Sequence, residues 1–270
     1  MNLFDIEMLA KKVEVPIRKL SAKDMIKLKD APQAQKRTAD FKKHVYIVED
    51  LVFKGPYNSD DHMLIKNLRY TYALQLLEEA LQLPEWRKGS LGWEYLGCWN
   101  NDQYYMAAPN VGNGKNICFE IVTTKIETNV PVVPRGKTVK RVSDMEKIEP
   151  LTDDIKSATL QHLYLRFLLD IGDSGTHNIL IREDYVRTGR LIAGIDLEEK
   201  RAIKEKESRL NHLFKKTPSK LQESLYASKI RKIKSLSYSQ LDQRTIARLS
   251  AVEIDLRKLK ENMELWVRLE

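Results

Sequence analysis

The chain is short of most of the signals that classify a protein at once. Two cysteines, Cys98 and Cys118, with no C-x-x-C and no nearby histidine pair, exclude a disulfide framework and an obvious zinc site. No apolar run reaches the roughly 18 residues that a membrane-spanning helix needs. The N-terminus, Met1-Asn2-Leu3-Phe4-Asp5-Ile6-Glu7, carries acids where a signal peptide carries a basic stretch and then an apolar one. No repeat or low-complexity tract interrupts the 270 residues. The expectation is an intracellular, reduced and soluble protein.

Hydrophobic residues make up 42% of the chain, enough for a core, so global disorder is excluded. Lysine and arginine (46) exceed aspartate and glutamate (38), for a net charge of +8. The excess is uneven. Beyond Lys200 basic residues outnumber acidic ones about two to one, and the rest is close to neutral. A basic balance favours an anionic partner, which includes nucleic acid, phospholipid, nucleotide and acidic protein.

Texture divides the chain into an N-terminal extension (1–43), a strand-rich segment (44–112), a connecting strand and loop segment (113–150) and a helical part (151–270). The extension opens amphipathically at Leu3, Ile6 and Leu9, with a second helical stretch near 22–28, and is expected to pack on the body. Runs 44–48 and 51–53 flank Glu49-Asp50 as a hairpin, and Lys54-Gly55-Pro56 reads as its stop. Ser59-Asp60-Asp61 offers cap chemistry for a helix to about residue 83, which Pro84 ends. Strands are expected at 93–98, 104–107 and 117–128, with a further turn or hairpin over 130–142. A buried helix spans 155–170, apolar on more than one face. A loop then leads to short strands at 179–181 and 191–195. The last helix is expected over about 251–265, with Val252, Leu256, Leu259, Met263 and Trp266 on its stripe. The order predicts an α+β, two-lobed outline.

Chemistry concentrates in Asp170-Ile171-Gly172-Asp173-Ser174-Gly175-Thr176-His177-Asn178-Ile179-Leu180-Ile181 and Ala193-Gly194-Ile195-Asp196. The hairpin can bring Asn178 and Asp196 to one end, with Asp173 on the loop above. Two carboxylates and an amide, without histidine or cysteine, suit a hard cation such as Mg²⁺. In phosphoryl transfer, one Asp orients the attacking hydroxyl while the Asn and the second Asp hold the metal.

These residues resemble the protein-kinase-like superfamily, in its atypical, phosphoinositide-kinase-like branch, where G-D-x-x-x-x-N stands in place of H-R-D-x-x-x-x-N. The resemblance covers roughly residues 44–200. It implies a two-lobed fold with a small, strand-rich N-lobe holding one helix and a mostly helical C-lobe. It also implies an ATP- and Mg²⁺-dependent phosphotransferase acting on an unspecified acceptor. Asp173 would be the acceptor-orienting base, with Asn178 and Asp196 on the metal. Lys54, ending an apolar strand ahead of a helix, would pair with phosphates, with Glu78 or Glu79 as its ion-pair partner. Ala107, Ala108 and Asn110 would receive adenine through backbone groups. The chain departs from the family at three places. No G-x-G-x-x-G precedes the hairpin, Leu197-Glu198-Glu199 follows the second Asp, and Ser174-Gly175 replaces Arg-His.

Each residue also has a plainer reading. Lys54 would be a strand-end lysine reaching water, Asp173 and Asn178 polar loop residues, and the basic helices solvated faces. The rival function is a non-catalytic binding or scaffold protein. It would use residues 200–270, where Tyr226 and Tyr238 interleave with lysines, to bind nucleic acid or an acidic partner. A membrane-surface role is a weaker third option, since no helix joins a basic face to a strongly aromatic one.

Overall fold

A computed structural model describes residues 6–31, 44–81, 92–110, 153–171, 179–181, 192–194, 197 and 235–268. Within them the protein is α+β, with six helices, a five-stranded mixed sheet and a separate two-stranded hairpin.

The sheet begins where the sequence is least strand-like. After α1 (Ile6–Lys12), β1 (Ile17–Lys19) pairs in parallel with β4 (Tyr95–Trp99), Ile17 opposite Leu96. A capping box then starts α2 (Ala22–Asp30): Ser21 Oγ accepts from the Asp24 amide (3.2 Å), and the Ser21 amide donates to Asp24 Oδ2 (2.8 Å). Strands β2 (His44–Val48) and β3 (Leu51–Asn58) form the expected hairpin, with Val48 opposite Leu51 and Glu49 left-handed at φ 55°. Strand β5 (Gln103–Pro109) returns from β4 through Asn100 and Asn101, both at positive φ. The Asp102 amide donates to Trp99 O (3.4 Å), as in a type I′ turn, which asparagine tolerates. The sheet order is β1-β4-β5-β3-β2.

Lys54-Gly55-Pro56 is not the stop that the sequence suggests, because β3 runs through it to Asn58. The register against β5 shifts between Lys54 and Tyr57, so Pro56 sits where a missing N–H forfeits no regular ladder bond. Gly55 is required there by space: a Cβ would lie 2.8 Å from Tyr104 O and 2.9 Å from Tyr105 Cδ1.

Residues directly opposite one another share a sheet face. Phe53, Ala107 and Tyr95 pair in one row, and Lys54, Met106 and Leu96 in the next. The first row packs with Leu20, Met25 and Leu28 of the α2 region in a small apolar layer. The second row faces the large core, which holds α1, α3 (His62–Ala80) and the later helices. Asp61 caps α3, its Oδ1 accepting from the Met63 amide (2.9 Å). Leu64, Leu68, Leu74 and Leu77 of this helix are at most 1% exposed, each burial worth about 2 kcal/mol.

Helix α4 (Asp153–Leu168) buries Tyr164, Leu165, Phe167 and Leu168, and packs against α3 and against β7 (Ile192–Gly194) of the hairpin with β6 (Ile179–Ile181). The last helix, expected over about 251–265, is α6 (Leu256–Arg268), which starts five residues later and follows a separate helix, α5 (Gln243–Ala251). The break falls at Glu253, left-handed at φ 57°, and buried Val252 belongs to the connection. The strand expected at 117–128, the turn at 130–142 and the helices of 200–234 lie outside the described residues.

Three helices end alike. After α1, α4 and α5 the chain enters the left-handed region at Glu14, Asp170 and Glu253. In each, the next amide returns to a carbonyl five residues back: Val15 to Ala10 (2.9 Å), Ile171 to Arg166 (2.9 Å) and Ile254 to Leu249 (3.1 Å). This is the Schellman arrangement, whose left-handed position usually holds glycine. Here each holds an acid paired with a cation of another helix. Glu14 meets Arg248 of α5 (2.8 Å), Glu253 meets Arg69 of α3 (2.6 Å), and Asp170 meets Lys258 of α6. Glu14 is 71% exposed, so its pair contributes less than about 1 kcal/mol, while a left-handed Cβ costs on the order of 1–2 kcal/mol. Glu14→Gly is therefore expected to hold or raise stability by up to about 1 kcal/mol. Urea unfolding checks this, and a loss of more than about 1 kcal/mol would make the ion pair dominant.

Candidate functional site

Lys54 lies on a strand flanked on both sides, opposite Val45 of β2 and Met106 of β5. Its position on the large-core face leaves it 9% exposed. The plain expectation of a strand-end lysine reaching water is therefore not met, since β3 continues for four residues beyond it. An ammonium removed from water is costly unless compensated. Helix α3, in the same layer, holds two candidate partners at adjacent positions. Glu78 is 4% exposed and Glu79 is solvent-exposed, so only Glu78 is an acid of the interior.

Ala107 and Ala108 are strand residues with fully buried side chains, Ala107 opposite Phe53 and Ala108 opposite Val52. The Ala107 carbonyl accepts from the Glu94 amide (2.8 Å), and the Asn110 amide donates to Asp50 O (2.8 Å). These two backbone groups are thus engaged within the sheet and its turn.

Asp173, Asn178 and Asp196 lie outside the described residues. The elements beside them in sequence are described. In the antiparallel hairpin Ile179 stands opposite Gly194, Leu180 opposite Ala193 and Ile181 opposite Ile192. Asn178 immediately precedes the first strand, and Asp196 follows the second by two residues. Among the described residues no group of three or more His, Cys, Asp or Glu side chains gathers as a metal site would, and no helix is long and apolar enough to cross a membrane.

The hairpin rests on polar residues of α4 that sequence reasoning passed over. His162 and Arg166, four apart, share one face of α4, Asp170 follows at its left-handed exit, and none of the three is more than 3% exposed. Gly194 lets β7 approach the His162 ring, for a Cβ there would lie 2.0 Å from Nε2. Neither ring nitrogen has a hydrogen-bond partner among the described residues. Burial, with the Arg166 cation nearby, takes the imidazole down to about 3. Burial likewise raises the Tyr164 phenol far above its usual value, and raises that of Tyr70, to which the Asp170 carboxylate adds. The available signal was His162 and Arg166, four apart within the largely apolar run 160–169.

A separate cleft of about 180 Å³ opens between the end of α1, α3, Trp93 and Arg248. Arg248 fills much of its chemistry internally, donating from Nε to Tyr72 Oη (2.8 Å) and from Nη2 to Glu14 Oε1 (2.8 Å). Of the site residues expected from the sequence, Glu79 lines it, whereas Lys54, Glu78, Ala107, Ala108 and Asn110 do not. On α6, exposed Arg257 and Lys260 have acids one turn on, Glu261 (3.6 Å) and Glu264 (4.0 Å), the pattern of a solvated helix face.

No family model matches the chain, and no match is found among curated proteins or solved structures.

Proposed function

We propose that the chain is a divergent, kinase-like phosphotransferase, two-lobed in plan, with the five-stranded sheet and α3 in the nucleotide-binding part and α4 with its hairpin in the part that transfers phosphate. The observation that carries this reading is Lys54: a cation on the covered face of the sheet, in one layer with α3 and its buried acid, Glu78. A fixed positive charge backed by a buried carboxylate serves triphosphate oxygens. The order along the chain also supports it: strand lysine, helix with buried acid, two strands, buried helix, then G-D-x-x-x-x-N and a short hairpin with Asp196 two residues beyond it in sequence.

The donor set fits the metal. Asn178 and Asp196 offer only oxygen ligands of the kind Mg²⁺ takes, and they would hold it. Once bound, the ion would neutralise phosphate charge. Asp173 would orient the acceptor hydroxyl and take its proton, while Lys54 would hold the phosphates. With the Asn110 amide and the Ala107 carbonyl engaged, adenine would have to be received by other groups at this edge.

Mg·ATP at about 100 times its Kd is expected to raise the melting temperature by on the order of 5 °C. Lys54→Met should abolish the shift. Asp173→Ala should keep the shift and lower turnover by about 10²–10⁴-fold. Absence of any shift with wild-type protein, together with salt-dependent retention of DNA or RNA, would replace this reading by the binding-protein one.

A further inference from the structure

The cleft beside α3 is built from four segments far apart in sequence: the end of α1, about three turns of α3, Trp93 ahead of β4, and Arg248 of α5. Tyr72, Gln75 and Glu79 line it at steps of three and four along α3, so they stand on one face. Its volume of about 180 Å³ is a little larger than the roughly 150 Å³ that holds one benzene in an apolar interior. The scale of occupant is a single ring with a few substituents.

Several polar groups around the cleft are already engaged, and they fix its walls. Trp93 Nε1 donates to Thr71 Oγ1 (3.1 Å), which in turn donates to Asn67 Oδ1 (3.4 Å). Arg248 lies over the Tyr72 ring, 5.2 Å from its centre, and gives Nε to the phenol and Nη2 to Glu14. Two groups remain. The half-buried Gln75 carboxamide and the Nη1 group of Arg248 make no hydrogen bond among the described residues. Gly92 runs so close to Gln75 that a Cβ there would lie 2.8 Å from Nε2, which limits how far the carboxamide can swing.

Charge narrows the ligand class. A cation would meet the Arg248 guanidinium. An anion would meet Glu14 and Glu79, both near enough to act on that guanidinium. An uncharged molecule avoids both costs. Carbonyl oxygens suit the Nη1 donors, an adjacent N–H and C=O match a carboxamide, and a planar ring suits the Tyr72 and Trp93 walls.

We propose that this cleft binds an uncharged, planar cyclic amide, the chemistry of a pyrimidine base or a lactam. Gln75 pairs with the amide edge of the ring, and Arg248 Nη1 donates to a carbonyl oxygen. The inference does not depend on the phosphotransferase reading.

Uracil is the probe, with benzylamine and benzoate as a cation and an anion of similar size. Each is titrated into the full chain and followed by the Trp93 indole N–H resonance, assigned with Trp93→Phe, and by the melting temperature. A ligand of about eight heavy atoms should bind with a Kd on the order of 1 mM. At about ten times that concentration uracil should raise the melting temperature by about 2–3 °C and move the Trp93 resonance progressively. Uracil methylated on both ring nitrogens, which lacks the N–H, should bind at least tenfold more weakly. Gln75→Met keeps the side-chain length and loses both polar groups, so it too should bind uracil at least tenfold more weakly. If that variant does not fold, Gln75→Glu removes the donor alone and the methylated ligand still reads the contact in the wild-type protein. Tighter binding of benzylamine or benzoate than of uracil would overturn the ligand class. A Trp93 resonance unmoved by about 10 mM uracil, or undiminished affinity in Gln75→Met, would overturn the site.

Discussion

Gly194→Ala is expected to cost at least about 3 kcal/mol of stability. The added Cβ would meet His162 at 2.0 Å from Nε2 and 2.1 Å from Cε1, far inside contact distance. The ring is 1% exposed on a helix buried against α3 and α6, so it cannot swing into solvent. Deleting the ring removes the clash, so Gly194→Ala with His162→Ala should be more stable than the sum of the single losses predicts, by at least about 2 kcal/mol. Urea unfolding of the four proteins supplies the cycle. Additive losses would mean that the two residues do not touch. Gly97→Ala is the internal contrast. Its Cβ meets the Leu20 methyls, the nearest at 2.8 Å, and a leucine end can turn aside at a cost of roughly 1 kcal/mol.

The second large effect is acid sensitivity traceable to the same ring. The His162 imidazole is held down at about 3 in the folded protein, against an unfolded value of about 6.5. Above pH 6.5 neither state carries the proton, and the group is silent. Below it the unfolded chain binds a proton that the native one refuses, so stability falls as pH falls, by about 1.4 kcal/mol per unit, down to about pH 3. Between pH 6.5 and 4.5 the loss is about 2 kcal/mol, a large share of a typical total. Acids with lowered values, Asp24, Glu49 and Asp242, also weaken the fold on acidification, but they do so as pH falls through the carboxylate range below this window. In His162→Leu the unfolding free energy should decline less steeply over pH 6.5–4.5. Parallel slopes for the two proteins would place the acid sensitivity elsewhere.

Elements that declare themselves locally were legible in the sequence. Val45-Tyr46-Ile47-Val48 and Leu51-Val52-Phe53 around Glu49-Asp50 make a hairpin by side-chain shape alone, and Asp61 starts α3 by capping it. What was not legible depends on partners distant in sequence. Ile17-Arg18-Lys19 has no strand signature and becomes β1 only because β4 offers an edge. Pro56 looks like a terminator until β5 accommodates a register shift around it. The break between α5 and α6 falls at a glutamate, with neither glycine nor proline to mark it. For the candidate site, the sequence suggested Lys54 through its place after an apolar run, but its burial depends on β3 continuing past Pro56. His162 and Arg166 escaped notice because polar residues in an apolar stretch of helix carry meaning only once the neighbours that bury them are known.

Strand β1 also bears on how the chain is made. Ile17 pairs with Leu96, so the edge strand emerges from the ribosome long before its partner exists, with roughly eighty residues still to come between them. Until β4 appears, α1 and α2 have no finished sheet to cover, and Leu9, Met25 and Leu28 wait as exposed apolar surface on a nascent chain. Residues 6–30 therefore gain their place in the sheet only after a strand made some seventy-five residues later.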